Sequence, residues 1–190
     1  MPDLREQLQR CFQGRVCLMG LGNVDYGDDG FGVRLAEKIA ALLPTNGDAS
    51  RAHEVINAGA MPERFVRILW EKGFDHLIFL DAVECGKPSG SVVFLGTEEM
   101  TSRFPQISTH KISLGILAEY IEAEGTKTWL LGVQPESLKT NGQLSPNVQA
   151  SLEALALLIG DCWTAEQQPE YGEPQLKRTA PALKTAEVNP

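Results

Sequence analysis

Five short apolar runs constrain this chain more than any other feature. They are "RVCLMGLG" (15–22), "HEVINAG" (53–59), "HLIFLDAV" (76–83), "GSVVFL" (90–95) and "TWLLGVQ" (128–134). Each is four to eight residues of strand-like composition, and segments of helical periodicity stand between them. Leu4, Leu8, Cys11 and Phe12 share one helical face near the start. A second helix is expected from about Asp28–Gly30 to Leu43, stopped by Pro44. Others are expected over 61–73, with Pro62 in the first turn, over 110–125, and over 145–163, with Ser145 as cap and Pro146 at the first position. Apolar strands alternating with helices predict an α/β domain built on an open, mostly parallel five-stranded sheet covered on both faces.

At 190 residues the chain is long enough to bury a core without staples. We expect one domain over residues 1–163. From Thr164 the composition turns to "TAEQQPEYGEPQLKRTAPALKTAEVNP", and 164–190 reads as a disordered tail. The net charge of −8 disfavours nucleic acid or an anionic membrane surface as partner, since both need a basic face. Four cysteines lack C-x-x-C spacing and are expected to be reduced thiols. No stretch of about 18 apolar residues is present. A start that is charged from its third residue does not resemble a signal peptide. A cytoplasmic monomer is the expectation.

The most unusual motif is "MGLGNVDYGDDGFG" (19–32), a glycine-rich turn between the first strand and its helix. Such turns commonly cradle a phosphate on free N–H groups. This one carries Asp25, Asp28 and Asp29, and Asp25 stands where a dinucleotide fingerprint has its third glycine. At ~5 Å and an effective dielectric of ~20, each carboxylate–phosphate pair costs about 3 kcal/mol. No Gly-Lys-Ser/Thr follows. Phosphate binding is therefore not expected at this turn. Its opening also resembles that of peptidyl-tRNA hydrolase, but that likeness stops at Tyr26.

In an open α/β sheet, ligands bind beyond the carboxyl ends of the strands. Asp28 and Asp29 follow the first strand, Asp81 ends the third, and His110 follows the fourth. If all three loops open on one edge, two carboxylates and an imidazole converge there as a divalent-metal site, Ni or Zn being suited. One acid of the Asp28/Asp29 pair would cap the following helix. His53 and His76 start strands at the opposite edge and are expected to be structural, and Cys85 lacks a second thiol to make it a ligand.

With these residues in place, the chain resembles the hydrogenase maturation endopeptidases over roughly residues 15–160. "GLGNVDYGDDGFGVRLAE" is similar to the family's opening, "FLDAVECG" to its strand ending in Asp-Ala, and "STHKISL" to its Ser-x-His segment. "NAGAMPE" and "LLGVQPESL" look closest to the formate-hydrogenlyase branch. The resemblance implies a three-layer α/β/α domain with a twisted sheet. It implies an endopeptidase that removes the C-terminal extension of a nickel-iron hydrogenase large-subunit precursor after nickel insertion. By position it implies Asp29, Asp81 and His110 as nickel ligands, and Asp29 and Asp81 as the catalytic carboxylates. The nickel would arrive with the precursor; zinc or another divalent ion could occupy the site in vitro. No Ser-His-Asp or Cys-His arrangement is evident, so direct attack by water is the expected chemistry. A non-catalytic nickel-binding checkpoint of hydrogenase assembly would need the same three ligands and stays open at this point.

Overall fold

The computed structural model describes residues 3–42, 53–103, 113–140 and 142–165. The strands are β1 (Val16–Leu21), β2 (Glu54–Gly59), β3 (His76–Ala82), β4 (Val92–Gly96) and β5 (Lys127–Val133). The helices are α1 (Leu4–Cys11), α2 (Phe31–Leu42), α3 (Val66–Lys72), α4 (Thr97–Arg103), α5 (Leu114–Glu122) and α6 (Pro146–Ala165). Single 3-10 turns, Gly27–Gly30 and Pro62–Phe65, lead into α2 and α3.

The five strands form one sheet in the order β2-β1-β3-β5-β4. β1, β2, β3 and β5 run parallel, while β4 pairs antiparallel with β5 at the edge. Every residue of β1 is buried, and so is β3 beyond His76, as expected of central strands covered on both faces. Alternation then assigns the two cores. Val16, Leu18, Ile78 and Leu80 face α1, α2 and α6, with Phe31, Leu35, Ile39, Leu152 and Ile159 opposite. Cys17, Met19, Leu77 and Phe79 face α3, α4 and α5, with Leu69, Met100, Leu117 and Ile121 opposite. Three layers result.

α2 lies unusually close to the sheet. A Cβ on Gly32 would fall 1.9 Å from the Leu80 carbonyl oxygen and 2.5 Å from that of Leu21. On the strand side, a Cβ on Gly20 would meet the Gly32 carbonyl oxygen at 2.5 Å. Only glycine permits that approach, and it seats the start of α2 directly over the ends of β1 and β3.

Three expectations need correction. α4 lies within a stretch that carries no apolar periodicity; "TEEMTSR" buries Met100 but is otherwise polar, so its pattern gave no sign of a helix. α6 extends through Ala165, and Thr164, assigned to the tail, donates its hydroxyl to the Gly160 carbonyl at 3.0 Å. Finally, because β4 is antiparallel, the chain leaves it at the edge opposite the ends of β1, β3 and β5. The fourth strand therefore does not end beside the other two, contrary to the expectation from sequence. His110 itself, the first residues of the expected 110–125 helix, and the tail beyond Ala165 lie outside the described residues.

Candidate active site at the carboxyl ends of β1 and β3

The chain goes from β1 outward to β2, then returns past β1 to β3. The ends of β1 and β3 thus form the topological switch point, where open α/β sheets hold their ligands. Asp29 sits in the turn after β1 and Asp81 is the penultimate residue of β3. A bulge at Gly20/Leu21 in the β1–β2 pairing bends the strand end just before the turn.

Asp29 is 8 % exposed, and its Oδ2 accepts from the Asn23 N–H at 2.8 Å. Its own N–H donates to the Tyr26 carbonyl at 3.1 Å. Gly22 makes room for it: φ is +114°, and a Cβ there would lie 1.7 Å from the Asp29 carbonyl oxygen. Asp81 is fully buried, with Oδ1 accepting from the Ala82 N–H at 2.8 Å. By strand alternation its side chain lies on the face of Phe79 and Val83, the face covered by α5.

Asp28 is different. Its Oδ2 accepts from the N–H groups of Glu136 (2.8 Å) and Ser137 (3.0 Å) and from the Ser145 hydroxyl (2.9 Å), and its Oδ1 accepts from the Ser145 N–H (2.6 Å). Four donors saturate this fully buried carboxylate. It does not cap α2; all four partners belong to the loop after β5. That leaves Asp29 as the acid of the pair with chemistry to offer.

Gln134, which the sequence reading did not single out, organises the third loop at this edge. Its Oε1 accepts from the N–H groups of Cys85 (2.8 Å) and Lys87 (3.3 Å), and its Nε2 donates to Glu84 at 2.7 Å. Asp28 and Gln134 together tie the loops after β1, β3 and β5 into one surface. Their signal was present as the "LLGVQPESL…LSP" segment, but hydrogen bonding across more than 40 positions has no periodic signature.

The residues expected to be structural are so. His53 is buried, accepts at Nδ1 from the Val16 N–H at 3.1 Å, and packs edge-on against Phe12 and Trp163. Burial, with Arg15 nearby, pushes its pKa down to about 4. His76 accepts from the Trp129 indole at 3.1 Å, and burial, aided by Lys127, lowers its pKa as well. All four cysteines are free thiols, and burial pushes Cys11 up to about 12. Among the described residues no three His, Cys, Asp or Glu side chains converge as a metal cage.

The family model for hydrogenase maturation proteases, HycI, matches residues 33–161. The chain belongs to this family. Hydrogenase 2 maturation protease of Escherichia coli is 30% identical over 146 residues, covering 73% of this chain and 84% of that protein. Hydrogenase 3 maturation protease of the same organism is 29% identical over 119 residues, covering 63% and 72%. The crystal structure of the [NiFe] hydrogenase maturation protease HycI from Thermococcus kodakarensis superposes with a TM-score of 0.71 at 31% identity, covering 83% of this chain and 99% of that one. The α/β/α architecture read above is thus that of hydrogenase maturation proteases. The stretch matched by the family model begins just after the acidic turn. The placement of Asp29 rests on the geometry of the turn itself. Among the described residues, no helix of this maturation protease is long and apolar enough to cross a membrane.

Proposed function

We propose that this hydrogenase maturation protease removes the C-terminal extension of a nickel-iron hydrogenase large-subunit precursor once nickel has been inserted. The nickel is part of the substrate, and Asp29, Asp81 and His110 are the side chains that read it. What carries this reading is the position of two buried carboxylates, Asp29 and Asp81, at the ends of neighbouring parallel strands at the switch point. Hard oxygen donors held by a rigid turn and a central strand suit a divalent ion presented from outside. The assignment of His110 rests on its place in "STHKISL".

The cleavage is direct hydrolysis, with the carboxylates in the aspartic role. Asp29, fixed at Oδ2 by the Asn23 N–H, takes the proton from the attacking water. The water oxygen adds to the scissile carbonyl carbon, the C–N bond breaks, and the proton passes to the leaving amine. Asp81, anchored through the Ala82 N–H, orients the metal-bearing end of the precursor. The enzyme works in the cytoplasm as a monomer.

The test is a cleavage assay on the hydrogenase precursor of the same organism, nickel-loaded or nickel-free, followed by intact mass. C-terminal shortening only with nickel, abolished in Asp29→Asn and His110→Ala, is expected. Normal cleavage by Asp29→Asn would overturn the assigned role of Asp29. Nickel-dependent binding with no shortening would replace the protease reading with an assembly checkpoint.

A further inference from the structure

Most of the large apolar side chains exposed among the described residues gather in one region. Met61, Ile68, Trp70, Ile116 and Tyr120 stand in the turn into α3, on α3 itself or on α5. The two helices cover the same face of the sheet, and the rings of Trp70 and Tyr120 meet with 5.4 Å between centroids. Between them lies an open groove of ≈ 540 Å³, with buried Val66 and Leu117 at its base and Trp70, Ile116 and Tyr120 along it. Ile116 keeps 64% of its surface exposed and Tyr120 54%, more than packing within the chain would leave.

The groove is aligned with the site. α3 leads into the start of β3 and α5 into the start of β5, and these strands are parallel, so both helices run down from the carboxyl edge. The end formed by Glu63, Arg64 and Ile116 therefore opens on the edge where Asp29 and Asp81 stand. By strand alternation Asp81 projects to this same face of the sheet.

Its chemistry selects an occupant. Two aromatic rings and one aliphatic side chain on neighbouring helices suit the apolar face of a third helix, anchored at i, i+3 and i+4. Two guanidiniums, Arg64 and Arg67, and one carboxylate, Glu63, line the groove, which makes it cationic on a chain of net charge −8. Arg67 has an exposed partner in Glu71 at 3.4 Å, whereas among the described residues Arg64 has no ion pair and no side-chain hydrogen bond. A carboxylate seated over Arg64 gains a charge-assisted hydrogen bond. A second copy of this chain would instead bring the same two guanidiniums against these, and a like net charge behind them.

We propose that this groove docks the hydrogenase precursor through an amphipathic helix, its apolar side chains against Trp70, Ile116 and Tyr120 and a carboxylate over Arg64. The inference rests on the protease reading above and adds a second point of attachment, apart from the segment being cut. None of these side chains touches the reacting atoms. They contribute binding that is equal before and during cleavage, which lowers KM and leaves kcat alone.

The experiment measures kcat and KM separately on the nickel-loaded precursor for wild type, Ile116→Gln, Tyr120→Gln and Arg64→Glu. All three positions are exposed, so the variants should melt close to wild type. Each should raise KM about tenfold, the loss usual for removing one interface anchor, with kcat unchanged. Asp and Glu residues of the precursor are then changed one at a time to Lys. One such change should restore KM with Arg64→Glu and raise it with wild type, an exchange that damage to the fold would not produce. Absence of any such partner overturns the pairing of Arg64 with a carboxylate. Unchanged KM in all three variants, or a loss confined to kcat, overturns the docking site and leaves the protease reading intact. Sedimentation of wild type as a dimer that Ile116→Gln and Tyr120→Gln dissociate would give the groove to a second copy and overturn the proposal. Failure of wild type to cut any precursor overturns both readings.

Discussion

Ser145 gives both its backbone N–H and its hydroxyl to the carboxylate of Asp28, 117 positions earlier in the chain. The same carboxylate takes the N–H groups of Glu136 and Ser137, so one side chain holds a loop that has no strand or helix of its own. Asp28→Ala leaves these groups without their acceptor. Hydrogen bonds to a charge contribute roughly 1.5–3 kcal/mol each and are not additive, so a loss on the order of 3 kcal/mol is expected. Urea unfolding of Asp28→Ala and Asp28→Asn would measure it, the amide keeping part of the acceptor capacity and losing less. Equal stability of Asp28→Ala and wild type would remove the clasp from the account.

Gly22 and Gly32 should fail in different ways when changed to alanine. At Gly32 the added methyl collides with two backbone carbonyls, of Leu80 and Leu21, and neither can swing aside. That variant should lose several kcal/mol, about the cost of overpacking a core or more, seen as a drop in Tm or in soluble yield. At Gly22 the collision is with the Asp29 carbonyl, and the φ of +114° is itself costly for alanine. Gly22→Ala should displace Asp29 and cost the cleavage rate on the order of 100-fold, as misplacing a reacting group by about 1 Å does.

The pH dependence of stability should carry the mark of His53. Its folded pKa of about 4 lies below the ordinary 6.5, so between those values the unfolded chain binds a proton that the folded chain refuses. Stability therefore falls as pH drops through that window, by on the order of 2 kcal/mol at pH 5 from this residue. His76 acts in the same direction. Urea midpoints at pH 7 and pH 5 should separate by less in His53→Gln, whose side-chain oxygen can still accept from Val16. An unchanged separation would assign the effect to other groups.

Gln134→Glu tests the third loop. The new carboxylate would keep the Cys85 and Lys87 N–H groups but would meet Glu84 where the amide now donates at 2.7 Å. Two carboxylates that close cannot both ionise without strong repulsion. The variant should be destabilised at pH 7 and partly recovered near pH 5, where a shared proton replaces the amide hydrogen. Thermal melts at the two pH values would show this as a smaller gap to wild type in acid.

What the sequence made legible follows physical range. Strands with every residue buried, such as β1 and β3, announce themselves because their local composition is the cause of their burial. That Asp29 and Asp81 lie at the same edge of the sheet was also readable, since parallel strands that are neighbours end on one edge. The direction of β4 was not, because a five-residue edge strand of mixed burial carries no mark of parallel or antiparallel pairing. One acid of the Asp28/Asp29 pair is expected from sequence to cap the following helix, the nearest unsatisfied donor set to Asp28. Its true partners lie more than 100 positions away, and no local pattern encodes them.

Among the described residues β5 is the last strand made, yet it occupies the place between β3 and β4. While the chain is being synthesised, β4 has no neighbour to pair with, and β3 keeps one edge open until residue 133 has emerged. The clasp on Asp28 waits longer still, for Ser145. Pairings of such sequence separation form late and slowly. The carboxylate turn is thus translated early and assembled late: a nascent chain carries Asp29 from its first few dozen residues but has no surface to present it on. The surface that holds Asp29 is complete only once the chain has folded through Ser145.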